Sequence, residues 1–135
     1  MVDSVEGVSR RFEELLSIMR RLRAPGGCPW DREQTHQSIR SNMLEECREA
    51  VEAIDTRDDA LLCEELGDVL LQVVFHAQIA EEENRFTIAD VLDGLCRKLI
   101  RRHEHVFGDV KAETPEQALE RWNEVKKREK QTKAT

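Results

Sequence analysis

Apolar residues recur along this chain at intervals of three and four positions, the spacing that gathers them on one face of an α-helix. The first such segment runs from about Val5 to Leu22, so an N-terminal helix is predicted within residues 1–24. A second helix is predicted before a turn at 55–58, with these side chains pointing inward: Met43, Leu44, Cys47, Val51 and Ile54. A long helix is predicted after the turn, from about 59 to 83.

Residues that start and stop helices separate these segments. Proline and glycine within 25–29 break the chain after the first helix, and a last pair of helices is predicted to begin near residues 87 and 115. Capping residues are predicted at four helix starts: Asp31 with Gln34, Ser41, Thr87 with Asp90, and Thr114 with Gln117. The charged tail 127–135 is predicted to fray.

Every predicted element is a helix, and the sequence has only 3 Pro and 6 Gly to interrupt one. We therefore predict an all-α helical bundle that forms a single domain over residues 1–135. The formal net charge of −7 argues against binding to a nucleic-acid polymer. Neither a signal peptide nor a stretch long enough to cross a bilayer is recognised, so a cytoplasmic location without membrane contact is expected.

The long helix carries a narrow polar stripe on an otherwise apolar surface. At about 100° per residue, its Leu, Val and Phe side chains cover most of the circumference. The remaining sector holds Glu65, Asp68, Gln72 and His76. A helix that is apolar nearly all round packs on several sides, so its acids are expected inside the assembly or along a cleft. Glu65 and Asp68 are three residues apart and therefore project from one face.

The preceding helix repeats this arrangement with Glu46 and Glu49, which are again three residues apart. A short turn favours antiparallel packing of the two helices, which brings these acids towards Glu65 and Asp68. A lone glutamate on a helix is more often a solvated surface charge, but clustered carboxylates need a counterion. Because oxygen-only ligands select hard cations, Mg²⁺ is predicted here, with Mn²⁺ as a substitute.

The motifs around these acids resemble those of the MazG family of nucleotide pyrophosphohydrolases. The family pattern Glu-Glu-x-x-Glu, followed after a spacer by Glu-x-x-Asp, is matched by residues 45–49 and 65–68. Further matching segments follow the family order: Gly27-Cys28-Pro29-Trp30-Asp31, Gln72-Val73-Val74-Phe75, Arg101-Arg102-His103 and His105-Val106-Phe107-Gly108. The resemblance covers roughly residues 22–126.

This resemblance implies an all-α fold that assembles as a homodimer or a dimer of dimers, with the core completed by dimerisation. It implies Mg²⁺-dependent hydrolysis of a nucleoside triphosphate to the monophosphate and pyrophosphate, and it suggests a role in cleaning the nucleotide pool. It assigns the metal to Glu46, Glu49, Glu65 and Asp68. Glu45 matches the first motif position and is expected to orient water or ligands as part of the catalytic group.

The resemblance also implies nucleotide-binding residues on the last two helices. Lys98 and Arg102, four residues apart on one face, are expected to grip phosphates. Trp122 is expected to stack on the base, with Lys126 near the phosphates. The alternative is that the cations are solvated and that Trp122 belongs to the core. A water molecule is predicted to attack a phosphorus of the α–β anhydride, with a glutamate of the Glu46–Glu49 pair helping to remove its proton.

Two other classes of protein remain open from the residues alone. A di-iron carboxylate bundle requires Glu-x-x-His on two helices, and the one such spacing here joins Glu33 to His36. A non-enzymatic helical interaction module would explain the apolar long helix but not its acidic stripe. A structural zinc site ranks last, because the 4 cysteines show no recognised ligand spacing.

Overall fold

The computed structural model describes residues 4–134. All the regular secondary structure in that range is helical, which confirms the all-α prediction. The helices in chain order are α1 (Val5–Arg23), α2 (Pro29–Glu33), α3 (Arg40–Asp55), α4 (Asp59–Glu82), α5 (Ile88–Arg102), α6 (Glu104–Phe107) and α7 (Pro115–Ala134). They form two compact units, unit 1 ending at Ile88 and unit 2 beginning at Ala89. The single domain over 1–135 stays a prediction.

Side-chain caps begin the two longest helices, and the one at α7 is the cap that the sequence predicts. At α4, the carboxylate of Asp58 accepts a hydrogen bond of 3.0 Å from the backbone N–H of Leu61. At α7, the hydroxyl of Thr114 accepts a hydrogen bond of 3.2 Å from the backbone N–H of Gln117. Each cap satisfies a backbone donor that has no partner inside its helix. The turn at 55–58 and the helix start at Thr114 are therefore confirmed.

Two other predicted caps are wrong. Helix α2 begins at Pro29, because proline is well suited to the first position of a helix, and Asp31 consequently lies inside the helix rather than before it. Helix α3 begins at Arg40, so Ser41 is its second residue and not its cap. The hydrogen-bonded turn 35–38 leads the chain into helical conformation earlier than the sequence pattern predicts.

The core of unit 1 lies between α1 and the second half of α4. Met19 of α1 packs with Val74, Phe75 and Ile79 of α4 and with Ile39, and each of these side chains is at most 5% exposed. Burial of such a side chain contributes roughly 1.5–3 kcal/mol before the entropic cost of ordering it. This contact holds α4 at a fixed position against α1.

Arg23, the last residue of α1, forms hydrogen bonds both to the segment that includes Asp31 and Gln34 and to the end of α4. Its Nε and Nη2 atoms donate to the two carboxylate oxygens of Glu82 at 2.9 and 3.0 Å. Its Nη1 atom donates to the backbone carbonyls of Asp31 and Gln34. The guanidinium also lies 5.5 Å from the ring centroid of Phe75. One buried side chain therefore connects three elements, and it places the following residues, including His36, beside α4.

Helices α3 and α4 pack through small residues and leave several large apolar side chains outside. Ala50 and Ala53 are the buried residues of α3, because small side chains allow two helix backbones to approach closely. The apolar side chains of this pair that are more than half exposed are Leu44, Val51, Ile54 and Leu66. Cys47 is exposed as well. The predicted inward orientation of Leu44, Cys47, Val51 and Ile54 is therefore wrong for the single chain.

Unit 2 comprises α5 from Ala89 onward, α6 and α7. An ion pair of 2.9 Å between Arg128 and Glu104 joins α7 to α6. Helix α7 continues to Ala134, so fraying of 127–135 stays a prediction about motion. Across residues 4–134, no helix combines the length and apolarity that a bilayer crossing requires.

Candidate metal centre

Two pairs of acids face each other across the antiparallel helices α3 and α4. Glu46 and Glu49 lie on α3, and Glu65 and Asp68 lie on α4, each pair separated by one helical turn. The connecting turn is sharp because Arg57 adopts a left-handed conformation, with a φ of 57°. The predicted antiparallel packing is what makes the two pairs converge.

One carboxylate oxygen from each of these four acids lies within 4.8 Å of the corresponding oxygens of the others. Glu65 is 9% exposed, and the other three side chains are partly buried. We call Glu46, Glu49, Glu65 and Asp68 the acidic cluster. The predicted convergence of the four carboxylates is thus found in the structure.

The acidic cluster is electrostatically unfavourable by itself. Burial raises the pKa of Glu65 to about 7, and its hydrogen bond with Glu49 and the nearby negative charges act in the same direction. Burial also raises the pKa of Glu46, followed by the charges of Glu49 and Asp68. Oε2 of Glu46 and Oε2 of Glu65 are buried and have no hydrogen-bond partner among the described residues.

A divalent cation fits this arrangement. It supplies the positive charge that converging carboxylates lack and the ligand bonds that the buried oxygens of Glu46 and Glu65 lack. Because all the donor atoms of the acidic cluster are carboxylate oxygens, a hard cation such as Mg²⁺ or Mn²⁺ is the best match. Glu45 lies outside the cluster: it is exposed and forms an ion pair of 2.6 Å with Arg48.

In unit 2, two of the predicted nucleotide-binding residues lie together. The guanidinium of Arg102 lies 4.9 Å from the ring centroid of Trp122, and Arg102 is also paired with Glu129 at 3.0 Å. Hydrogen bonds from Arg102 and then from Arg101 lower the pKa of Glu129 to about 2. A predicted phosphate-binding arginine therefore already has an anionic partner.

The remaining predicted cations are placed differently. Lys98 is exposed on α5, one turn before Arg102, and Lys126 is partly buried on α7, one turn after Trp122. The sequence analysis did not identify Glu129 as a partner of Arg102. Its position seven residues after Trp122, and so on the same face of α7, is the signal that would have indicated it.

The polar stripe of α4 continues beyond the acidic cluster into buried positions. Gln72 is 6% exposed, and its Oε1 has no hydrogen-bond partner among the described residues. His76 meets His36, with 2.7 Å between the two Nδ1 atoms. The Glu33-x-x-His36 spacing is not on one helix, because α2 ends at Glu33. His36 therefore pairs with His76 and does not share a helical face with Glu33, as a Glu-x-x-His ligand pair would require.

Comparison with known proteins gives matches that cover most of the chain. The sequence model of the MazG nucleotide pyrophosphohydrolase domain matches residues 34–107, more than half of the chain. A Thermotoga maritima protein named nucleoside triphosphate pyrophosphohydrolase/pyrophosphatase MazG is 57% identical over 119 residues, which are 88% of this chain and 45% of that protein. The Escherichia coli nucleoside triphosphate pyrophosphohydrolase is 48% identical over 125 residues, 92% of this chain and 48% of that protein.

A solved structure agrees with these sequence matches. The crystal structure of a mazG-related protein from Thermotoga maritima superposes with a TM-score of 0.70 at 28% identity, covering 85% of this chain and 98% of that one. The chain spans less than half the length of the Thermotoga maritima and Escherichia coli relatives matched by sequence. The similarity therefore concerns one portion of those longer proteins.

Proposed function

Because the chain belongs to the MazG nucleotide pyrophosphohydrolase family, we propose that it hydrolyses nucleoside triphosphates to the monophosphate and pyrophosphate. The observation that carries this proposal is the acidic cluster, in which buried oxygens of Glu46 and Glu65 have no hydrogen-bond partner among the described residues. The names of the Thermotoga maritima and Escherichia coli relatives support the same reaction. Removal of unwanted nucleotides from the cellular pool is the proposed purpose.

The acidic cluster would hold Mg²⁺ through Glu46, Glu49, Glu65 and Asp68. When bound, Mg²⁺ supplies positive charge to the phosphates and makes water a better nucleophile. Glu46 or Glu49 accepts a proton from the water that attacks a phosphorus of the α–β anhydride. Glu45, one residue before the cluster, orients this water, and its ion pair with Arg48 limits the directions that its carboxylate can take.

The basic residues of unit 2 are proposed to bind the triphosphate. Lys98 supplies an exposed point charge, and Lys126 a partly buried one. Arg102 must exchange part of its pairing with Glu129 for the substrate's phosphate oxygens. Trp122 offers an aromatic face beside this arginine. Phosphate oxygens must compete with the carboxylate of Glu129 for Arg102. A triphosphate, which carries several negative charges, therefore binds at Arg102 better than a monophosphate does.

A second copy of the chain is proposed to cover the apolar surface that α3 and α4 leave open. Leu44, Val51, Ile54 and Leu66 are more than half exposed in the single chain. Exposed apolar area on this scale is typical of an interface rather than of a monomer's surface. A homodimer, or a dimer of dimers, would complete the core at this place. The molar mass in solution, measured by light scattering, tests this assembly.

The activity is tested by incubating the purified chain with each of the four common nucleoside triphosphates and Mg²⁺, then resolving the products. We expect the monophosphate and pyrophosphate as products. We also expect Asp68→Asn to lower the rate by about 100-fold or more, the order of magnitude lost when one preorganised electrostatic group of an active site is removed. Glu64→Gln, an exposed neighbour of the cluster, serves as the matched control. Release of orthophosphate and the diphosphate nucleoside would overturn the choice of bond.

The exposed apolar surface of α3 and α4 also favours one non-enzymatic alternative, a helical interaction module. This alternative predicts no hydrolysis with any of the triphosphates and no Mg²⁺ or Mn²⁺ binding by calorimetry. Metal binding that disappears in Asp68→Asn and persists in Glu64→Gln argues against it. The product assay and the metal titration together separate the two functions.

A further inference from the structure

The polar stripe of α4 ends at a pair of histidines that the acidic cluster does not use. The Nδ1 atom of His76 lies 2.7 Å from the Nδ1 atom of His36, which belongs to the segment between α2 and α3. The planes of the two rings differ by 2°, and their centroids are 5.0 Å apart. That separation equals the distance between the nitrogens plus about two ring radii. The rings therefore meet edge to edge, with both Nδ1 atoms on the line between the centroids.

A single hydrogen atom fits between these two nitrogens. A metal ion on the same line would need about 4 Å between them, since a nitrogen–zinc bond is about 2.0–2.1 Å long. The rings are therefore joined by a hydrogen bond, in which one Nδ1 donates and the other accepts. Nε2 of His36 lies 3.5 Å from a carboxylate oxygen of Glu83, which favours a hydrogen on that Nε2. In the neutral pair, His76 is then the donor and His36 the acceptor.

This hydrogen bond holds the segment 34–39 against α4. Arg23 binds the backbone carbonyl of Gln34 at one end of the segment, and Ile39 at the other end is 2% exposed in the core of unit 1. His36 lies between these two anchors, and its bond to His76 joins the middle of the segment to the helix. If the bond were lost, the segment would be held through its ends.

The pair can take up one proton without breaking, but not two. The first proton can bind at Nε2 of His76, which is buried and has no hydrogen-bond partner among the described residues. This step leaves the shared hydrogen in place. The second proton must bind at Nδ1 of His36, so that two hydrogens face each other across the 2.7 Å gap. Two imidazolium rings this close also repel each other, and the second proton therefore breaks the bond.

The charged groups around the pair do little to compensate a second positive charge. The acids at the end of α4 are each paired with an arginine: Glu81 with Arg20, Glu82 with Arg23, and Glu83 with Arg85. Asp31 and Glu33 of α2 form no ion pair with either ring, and Arg40 at the start of α3 adds positive charge. Glu83 is thus the one carboxylate within ion-pair distance of the rings in the described part of the chain, and it is shared with Arg85.

We propose that His36 and His76 form an acid-sensitive latch, closed while one hydrogen bridges the two rings and open when both Nδ1 atoms carry a hydrogen. Opening releases the segment 34–39 from α4. Helix α3 begins directly after this segment and carries Glu46 and Glu49, so opening loosens the start of the helix that supplies half of the acidic cluster. The latch itself is independent of the proposed function, and its effect on Mg²⁺ rests on that function.

NMR spectroscopy tests the shared hydrogen directly. The chain has 4 histidines, so the Cε1–H resonance of each can be followed between pH 8 and pH 4.5. We expect the resonances of His36 and His76 to move together in two steps, with loss of a downfield signal from the bridging hydrogen at the second step. That step should fall below pH 6.5, because burial and then the charge of His36 lower the pKa of His76. Independent titration of the two rings, each in one step, overturns the latch.

Two substitutions separate the hydrogen bond from its response to acid. In His76→Asn, the side-chain amide lies near the position of Nδ1, and it can donate to neutral His36 or, turned over, accept from protonated His36. This variant should keep the latch closed at every pH. His76→Leu has no polar atom and should leave the latch open at every pH. His103→Asn, in unit 2, is the matched control and should behave as the parent does.

Exchange of the backbone N–H groups of Ile39 and Arg40, corrected for the intrinsic effect of pH, measures the opening. Both groups donate hydrogen bonds within the segment. We expect exchange in the parent to accelerate about three- to tenfold as the second proton binds. Exchange should stay slow in His76→Asn and be fast throughout in His76→Leu. Equal acceleration in the parent and His76→Asn overturns the response to acid, and slow exchange in His76→Leu at every pH overturns the latch.

Mg²⁺ titration by calorimetry separates this inference from the proposed function. The acids of the cluster titrate alike in the parent and in His76→Asn, so the ratio of the two Mg²⁺ dissociation constants reports on the latch. We expect a ratio of about one at pH 8 and about three to ten at pH 5.5. No Mg²⁺ binding by either protein, with the expected amide exchange, retains the latch and overturns the metal centre. A ratio of one at both pH values, with pyrophosphate released from triphosphates, retains the enzyme and overturns the effect of the latch on Mg²⁺.

Discussion

Arg102 and Glu129 form a bidentate ion pair in which both oxygens of the carboxylate accept hydrogen bonds from one guanidinium, with 3.0 Å between Nη2 and Oε2. The same carboxylate accepts a bond of 2.7 Å from Nε of Arg101. Two arginines of α5 therefore contact Glu129 of α7, and both stabilise its ionised form. This cluster joins α5 to α7 by charge, in a unit where few large side chains are buried.

The first prediction concerns the pH dependence of stability through Glu129. Its pKa is lowered from 4.5 to about 2 in the folded chain, so the unfolded chain takes up this proton first as the pH falls. The stability contributed by this group is complete above about pH 4.5 and is lost as the pH falls towards 2. Urea midpoints from pH 7 to pH 2 should fall less steeply in Glu129→Gln. Glu120→Gln, exposed on the same helix, should leave the parent slope unchanged.

The second prediction concerns the histidine pair of unit 1. Burial, and then the nearby ring of His36, lower the pKa of His76 below 6.5. The unfolded chain therefore binds this proton more readily, and the associated stability is complete above pH 6.5 and lost as the pH falls below it. Thermal midpoints between pH 7.5 and pH 5 should show a smaller acid-induced loss in His76→Gln. Identical pH profiles of the two proteins would contradict this assignment.

The third prediction separates electrostatic repulsion in the acidic cluster from metal binding. In metal-free buffer, Glu65→Gln should raise the thermal midpoint, because it removes a buried carboxylate from among three others. Added Mg²⁺ at about 100 times its dissociation constant should stabilise the parent by about 2.7 kcal/mol and the variant much less. Glu64→Gln is the matched control and should respond to Mg²⁺ as the parent does. A variant stabilised by Mg²⁺ as strongly as the parent would remove Glu65 from the ligand set.

The fourth prediction concerns the turn that follows α1. A Cβ atom on Gly27 would overlap the backbone carbonyl oxygens of Arg21 and Leu22, so Gly27→Ala should destabilise the chain by about 1–3 kcal/mol. Gly94 lies inside α5, and a Cβ there meets nothing within 4 Å. Gly94→Ala should therefore stabilise by about 0.5–1 kcal/mol through helix propensity. Chemical denaturation measures both changes, and equal effects of the two substitutions would contradict the steric explanation.

Much of the fold follows from local rules that act within one turn of helix. The periodic apolar residues, the cap at Thr114 and the turn at 55–58 predict helix positions to within a few residues. The errors arise where local signals compete, as at Pro29 and Arg40, because a proline start and a hydrogen-bonded turn overrode the predicted caps.

The sequence by itself determined the all-α class, the two acid pairs and the antiparallel packing that joins them, because helix periodicity and a short turn are properties of neighbouring residues. Only the tertiary structure decided which side of α3 is buried. Ala50 and Ala53 face α4 and Leu44 does not, because small side chains allow the two helix backbones to approach closely. The tertiary structure also decided that His36 faces His76 and that Glu129 holds Arg102, because these pairs are 40 and 27 residues apart in the chain. Pairing over such separations depends on how whole helices pack, and the spacing of Glu129 and Trp122 shows only that they share a face of α7.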